Sequence, residues 1–232
     1  MSLWPGALLF DFDGVLVNSE PLHLLAFQEV LKAEKIEVSE AEYYQEFLGH
    51  DDRNAFRRVF EKHGRTLDPK TFLRLMAGKQ AGMMRQIRSR KYQPLPGVEE
   101  FVRSVWRHYP LAVCSGSLRD EVDAMLEGVS LRDCFSVVVA AEDVVAGKPG
   151  AEGYLLAMRS VSEKIRRRLY PEDCLIIEDA PSVVHSAREA GFPVLAVATS
   201  HPVEKLSEAN WVVKSLQPTE VQRKIPGLKV YR

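Results

Sequence analysis

Two short aliphatic runs in this chain each end in a pair of acids. Residues 7–10 run into Asp11 and, two places on, Asp13; residues 174–177 run into Glu178 and Asp179. Runs this short and this continuously apolar read as strands buried on both faces, the mark of a parallel sheet. Similar runs, fenced by Gly, Pro, Asp or Ser, give predicted strands at 7–11, 111–115, 136–140, 174–178, 193–198 and 211–213. Helical patterns fall between them at 97–108, 118–127, 152–162 and 181–190. Alternation of this kind specifies an α/β fold.

One stretch breaks the rhythm. Between about Glu20 and Tyr92 there are only helical patterns, at 22–35, 40–47, 53–63 and 68–90. The expectation is an all-helical cap, 19–93, inserted into a core made of 1–18 and 94–232, with turn-rich hinges at 17–21 and 92–97. Such a cap leaves a cleft over the carboxyl ends of the strands, where α/β folds bind ligands.

The 232 residues carry 31 basic and 32 acidic side chains, a net charge of −1, which argues against nucleic acid or an anionic membrane as partner. Cys114, Cys134 and Cys174 are too few and too scattered for a disulfide framework or a CxxC metal site, and the two in apolar runs, Cys114 and Cys174, read as buried thiols. No apolar run approaches the ~18 residues of a membrane span. The opening MSLWPGALLFDFDG has neither a basic leader nor a cleavage site, so the expected location is cytoplasmic.

Side chains two apart on an extended chain share a side, so Asp11 and Asp13 face one place. Alone, such a pair serves equally well to cap a turn. The second acidic strand end shifts the balance, because parallel strands end on the same edge. Four carboxylates there suit a hard, oxygen-loving cation, Mg²⁺. After a third strand come Ser115, Gly116 and Ser117, whose hydroxyls and amides can hold anionic oxygens. After a fourth, Lys148 offers a fixed cation suited to a phosphoryl group. Taken singly, Ser115 reads as a turn residue and Lys148 as a solvated lysine.

DFDGVLVNSE, CSGS, GKP and IIEDA, in that order, resemble the haloacid dehalogenase-like hydrolase superfamily, in particular its phosphoglycolate phosphatase and β-phosphoglucomutase branch. The resemblance covers nearly the whole chain. It implies a Rossmann-like three-layer core with a helical cap, Mg²⁺, and catalysis through an aspartyl phosphate. By position, Asp11 is then the nucleophile and Asp13 the general acid and base. Asp11, the carbonyl of Asp13 and Asp179 hold the metal, with Glu178 close by or ligating through water. Ser115, Gly116 and Lys148 hold the phosphoryl oxygens. The second Asp favours phosphoryl transfer, since a halide leaving group needs no proton. Phosphonate hydrolysis would need a cap lysine, for which no match stands near Gly49.

The chain departs from the family at KPGAE, where KPxPD is usual, and at EDAPSV, where EDSxxG is usual. Glu152 is expected to cap the next helix or bond to Lys148. In the cap, His23 stands where β-phosphoglucomutases carry a histidine, and Phe27 where they carry Trp. After Gly49 the mutases present an arginine to a second phosphate; here two acids intervene before Arg53. The preferred function is therefore hydrolysis of a small phosphomonoester, with a sugar-phosphate mutase as the alternative and a non-catalytic phosphate-binding module as a third reading. The partner expected is a small phosphorylated metabolite, with the protein a monomer or, failing that, a dimer. The run Lys164–Arg168 is expected to be a solvated helix face, and Phe101 and Trp106 to be core.

Overall fold

The computed structural model describes residues 4–47, 52–90 and 92–230. In chain order the elements are β1 (Ala7–Phe10), α1 (Glu20–Ala33), α2 (Glu40–Glu42, continuing into a π turn, Tyr43–Phe47), α3 (Asp52–Lys62), α4 (Pro69–Arg88), α5 (Val98–Val105) and β2 (Leu111–Cys114). They continue with α6 (Arg119–Gly128), β3 (Val137–Val139), α7 (Glu152–Lys164), β4 (Cys174–Glu178), α8 (Pro181–Glu189), β5 (Val194–Val197), β6 (Trp211–Val213) and α9 (Pro218–Lys224). The chain divides into two compact units, Met1–Asn18 with Gln93–Arg232, and Ser19–Tyr92.

The first unit is an α/β fold built on a six-stranded sheet ordered β3-β2-β1-β4-β5-β6, with every pairing parallel. From the central β1 the chain steps outward through β2 and β3, then returns to build β4, β5 and β6 on the other side. The order therefore reverses between β1 and β4, the place where doubly wound sheets bind ligands. Register puts Phe10 beside Val113 on one side and Ile177 on the other. β1, β2 and β4 thus end level, and the residues just beyond them meet at one edge.

Strands β1 to β5 are buried along their whole length and, up to Glu178 at the end of β4, apolar, because both faces are covered. Leu9, Ala112 and Ile176 meet Tyr154, Ala157 and Val161 of α7 and Val184 of α8. On alternate residues, Phe10 meets Phe101 and Phe135 edge-on at 6.2 and 5.6 Å between ring centres. Trp106 does not join them: α5 ends at Val105, and Trp106 is 41% exposed. At 100° per residue, a side chain five places after Phe101 leaves the apolar stripe of Phe101, Val102 and Val105.

The basic run is not a helix face either. α7 stops at Lys164, which donates to the Ser136 carbonyl, and Arg166 turns the chain at φ 52°. The Arg168 guanidinium then lies 4.9 Å from the centre of the Tyr170 ring. All three cysteines are free and buried, and burial pushes the Cys114 thiol up to about 12.

The second unit has its own core, an aromatic cluster in which Phe27 stacks on Phe56 at 4.9 Å, with Tyr43 and Phe47 at 5.7 and 5.8 Å. α4 opens on Asp68, whose carboxylate accepts the Lys70 and Thr71 amides at 3.0 Å and caps the helix. α4 packs closely on α1 because Gly78 has no side chain; a Cβ there would stand 2.9 Å from a Val30 methyl. Among the described residues, no helix is long and apolar enough to cross a membrane.

Candidate active site

The backbone continues the β1–β4 ladder one step beyond the strand, the Asp11 amide donating to the Ile177 carbonyl at 2.9 Å. Asp11 therefore arrives beside Glu178 and Asp179. One ligand atom from each of the three lies within 4.8 Å of the others, and all three side chains are buried. Gly14 makes this approach possible. Its φ is +80°, and a Cβ on it would strike Asp179 Oδ2 and Ser200 Oγ.

Lys148 comes from the turn after β3. Its Nζ donates to Asp11 Oδ1 and, at 2.6 Å, to Glu178 Oε1, and lies 5.3 Å from the centre of the Tyr154 ring. Glu178 is fully buried and fully engaged. Oε1 also accepts the Tyr154 hydroxyl at 3.2 Å, while Oε2 accepts the amides of Asp179 and Ala180 at 2.7 and 2.8 Å. Glu152 accepts the Val145 and Ala146 amides at 3.2 and 2.7 Å. Neither use expected for it is made: Glu152 is the first residue of α7, which follows Ala151 without a side-chain cap, and its carboxylate holds the turn that carries Lys148 instead.

Asp13 faces the end of β2. Its Oδ2 accepts the Ser117 hydroxyl at 2.9 Å and the Ser115 hydroxyl at 3.2 Å. The Ser117 amide donates to Ser115 Oγ at 3.0 Å, so the turn is self-braced around the exposed Gly116. After β5, Ser200 Oγ hydrogen-bonds to Asp179 Oδ2, and Thr199 Oγ1 to the Gly14 carbonyl.

Three carboxylates are buried together at this edge, and the one ammonium among them pairs with two, Asp11 and Glu178. Like charges about 4 Å apart repel by roughly 4 kcal/mol at an effective dielectric of 20. Burial, reinforced by Glu178, holds the Asp11 carboxyl well above the usual range against the pull of Lys148. Burial and Glu178 also push Asp179 up to about 7. Burial alone would pull Lys148 down, but the charges of Asp11 and Glu178 outweigh it and its pKa is raised. The cluster is short of positive charge, and its donors are all oxygens, so a hard divalent cation fits it. Asp11 and Asp179 retain the lone pairs to hold one, whereas Glu178 already has four donors.

The structure thus brings Asp11, Asp13, Ser115, Lys148, Glu178 and Asp179 to one sheet edge. His23 and Arg53 belong to the helical unit. His23 Nδ1 lies 3.1 Å from Lys79 Nζ, and Arg53 is exposed. Gly49 lies outside the described residues. Sequence reasoning missed Tyr154, Thr199 and Ser200. Tyr154 sits on the apolar face of α7 and had no local signal. Thr199 and Ser200 did: they directly follow a predicted strand, 193–198, on the edge where the acids gather.

A profile of the haloacid dehalogenase-like hydrolases matches residues 8–197, from β1 through β5. The chain belongs to this family. Among curated members, it is 29% identical over 190 residues to the fructose-1-phosphate phosphatase YqaB of Escherichia coli, a match covering 82% of this chain and 95% of that one. It is 26% identical over 220 residues to the chloroplastic 5-amino-6-(5-phospho-D-ribitylamino)uracil phosphatase of Arabidopsis thaliana. That match takes in 94% of this chain but only 56% of the relative's length. Among solved structures of the fold, CbbY from Rhodobacter sphaeroides in complex with phosphate superposes with a TM-score of 0.81 at 22% identity, covering 97% of this chain and 99% of that one.

Proposed function

We propose that this protein is a Mg²⁺-dependent phosphatase that hydrolyses a small phosphomonoester, such as a sugar phosphate, through an aspartyl phosphate on Asp11. The observation that carries this reading is the pairing of an acidic, cation-deficient cluster with Lys148 on one side and a hydroxyl-braced Asp13 on the other. Relatives named as phosphatases of phosphorylated sugars and sugar derivatives support it.

Asp11 attacks phosphorus. A bond forms between its carboxylate oxygen and phosphorus as the ester P–O bond breaks, and Asp13 gives its proton to the departing oxygen. Water then attacks the same phosphorus, its proton passes to Asp13, and the bond to Asp11 breaks to release phosphate. Asp11 must be ionised to attack, and burial opposes that; Lys148 counters the burial and offsets the charge of the incoming anion. Ser115 and the Gly116 amide hold phosphoryl oxygens, with Lys148. Asp11, Asp179 and the Asp13 carbonyl hold Mg²⁺, and Glu178 anchors Lys148 behind them. When bound, Mg²⁺ supplies charge neutralisation for both the carboxylates and the phosphoryl oxygens.

The test is a panel of sugar phosphates and phosphoglycolate, assayed for phosphate and product identity with and without Mg²⁺. The expected result is Mg²⁺-dependent release of free phosphate without isomerisation. Conversion of β-glucose 1-phosphate to glucose 6-phosphate would replace hydrolysis with the mutase reading. No turnover across the panel would replace both with a binding module.

A further inference from the structure

The carboxylate of Asp179 is set by a hydroxyl that lies outside the four acidic and phosphate-binding segments. Two hydroxyls approach its Oδ2, those of Ser200 and, at 3.4 Å, Thr199. A hydroxyl carries one hydrogen to donate. Thr199 Oγ1 stands much closer to the Gly14 carbonyl, so its hydrogen goes there and pins the turn after β1. Ser200 is left as the donor to Asp179.

The turn carrying Ser200 is itself fixed. Glu178 pairs with Ala196 in the β4–β5 ladder, which brings the end of β5 alongside Asp179. The Ala198 amide donates to the Val213 carbonyl at 2.8 Å, and the Thr199 amide to the Val197 carbonyl at 2.9 Å. On the far side, Gly14 closes against both Asp179 Oδ2 and Ser200 Oγ. Asp179 Oδ2 is thus held from two directions, and Oδ1 has no hydrogen-bond donor among the described residues.

We propose that Ser200 is a positioning residue for the cation site: by donating to Oδ2 it fixes the rotation of the Asp179 carboxylate and leaves Oδ1 as the coordinating oxygen. This rests on the cation-dependent reading above. Groups that orient a metal ligand are typically worth 10–100-fold in metal affinity. Ser200 is exposed in a turn, so removing its hydroxyl leaves the core packing untouched.

The test is calorimetric titration of the metal-free protein with Mg²⁺ alone, comparing wild type with Ser200→Ala, Ser200→Thr and Asp179→Asn. Ser200→Ala is expected to weaken Mg²⁺ binding about tenfold or more. Ser200→Thr, which keeps the hydroxyl, is expected to bind within about threefold of wild type, and Asp179→Asn to lose binding. A purely structural role would lower the melting temperature of Ser200→Ala and leave its Mg²⁺ affinity alone. Wild-type affinity in Ser200→Ala, with binding lost in Asp179→Asn, would overturn the role of Ser200 while sparing the cation site. Wild-type affinity in Asp179→Asn would overturn both.

Discussion

In each unit one lysine among the described residues is withdrawn from water, and the two keep different company. In the helical unit, Lys79 is 3% exposed and makes an ion pair with Asp52, with His23 at 3.1 Å. At the sheet edge, Lys148 is shared by Asp11 and Glu178, with Asp179 in the same cluster. The first arrangement sets one cation against one anion, and Asp52 is 38% exposed, so water can serve what the pair does not. The second sets one cation against three buried anions. A balanced pair satisfies itself, and a buried pair of that kind is weak evidence of anything beyond packing. An unbalanced cluster is incomplete without a ligand. That contrast, more than burial or charge alone, is what makes the sheet edge the candidate site.

The sharpest way to break the contrast is to remove proton transfer from each unit in turn. Asp13→Asn is expected to cost about 10²–10⁴-fold on alkyl phosphates and far less on an activated aryl phosphate, whose leaving oxygen needs no proton. His23→Asn is expected to change the two substrates in parallel. Steady-state rates on both substrates decide it, and equal losses on both in Asp13→Asn would remove the acid role.

The lysines come next. Lys148→Met is expected to lower kcat by about 10²–10³-fold, the usual cost of removing a fixed charge that meets developing negative charge. Lys79→Met should keep kcat within about tenfold, because its partner can fall back on water. If Lys79→Met slowed the enzyme as much as Lys148→Met, the balanced pair would belong to the chemistry and the distinction between the two units would fail.

The smallest effect is on stability. The folded-state pKa of Asp179 is raised to about 7 from a reference of 3.8, so between those values the native protein binds more protons than the unfolded chain. Stability of the metal-free protein is therefore expected to fall as pH rises from about 4 to 7, and to level off above, with a limiting slope of roughly 1.4 kcal/mol per pH unit. Urea unfolding in chelator should show this decline in wild type and a shallower one in Asp179→Asn, and Mg²⁺ should stabilise wild type alone and offset its decline. Parallel curves in chelator would mean that Asp179 carries no such shift.

What the sequence made legible follows from the same physics. A strand buried on both faces must be apolar, so the point where Ala7–Phe10 meets Asp11 and Cys174–Ile177 meets Glu178 stands out without any structure. Parallel pairing then obliges the ends to share an edge. The sheet, its flanking helices and the chemistry-bearing residues of four turns were readable for that reason. Tyr154 was not, because a tyrosine on the apolar face of α7 looks like core and becomes part of the site only through its hydroxyl on Glu178. Ser200 had a positional signal, just past a predicted strand on the acidic edge, but its partner Asp179, 21 residues away, is not visible in sequence. In the helical unit, Lys79 follows Gly78 within an amphipathic pattern, where lysine is ordinarily solvated. Its burial depends on Asp52, 27 residues away.

The proposed chemistry requires the acids at the ends of β1 and β4 to hold a divalent cation beside Asp11. The direct measurement is phosphate release from a sugar-phosphate substrate by wild type and Asp11→Asn, first in chelator and then as Mg²⁺ is restored. Wild-type activity should be absent in chelator and rise saturably with Mg²⁺, while Asp11→Asn stays folded and inactive at every concentration. Full turnover by wild type without the metal, or by Asp11→Asn with it, would contradict the account.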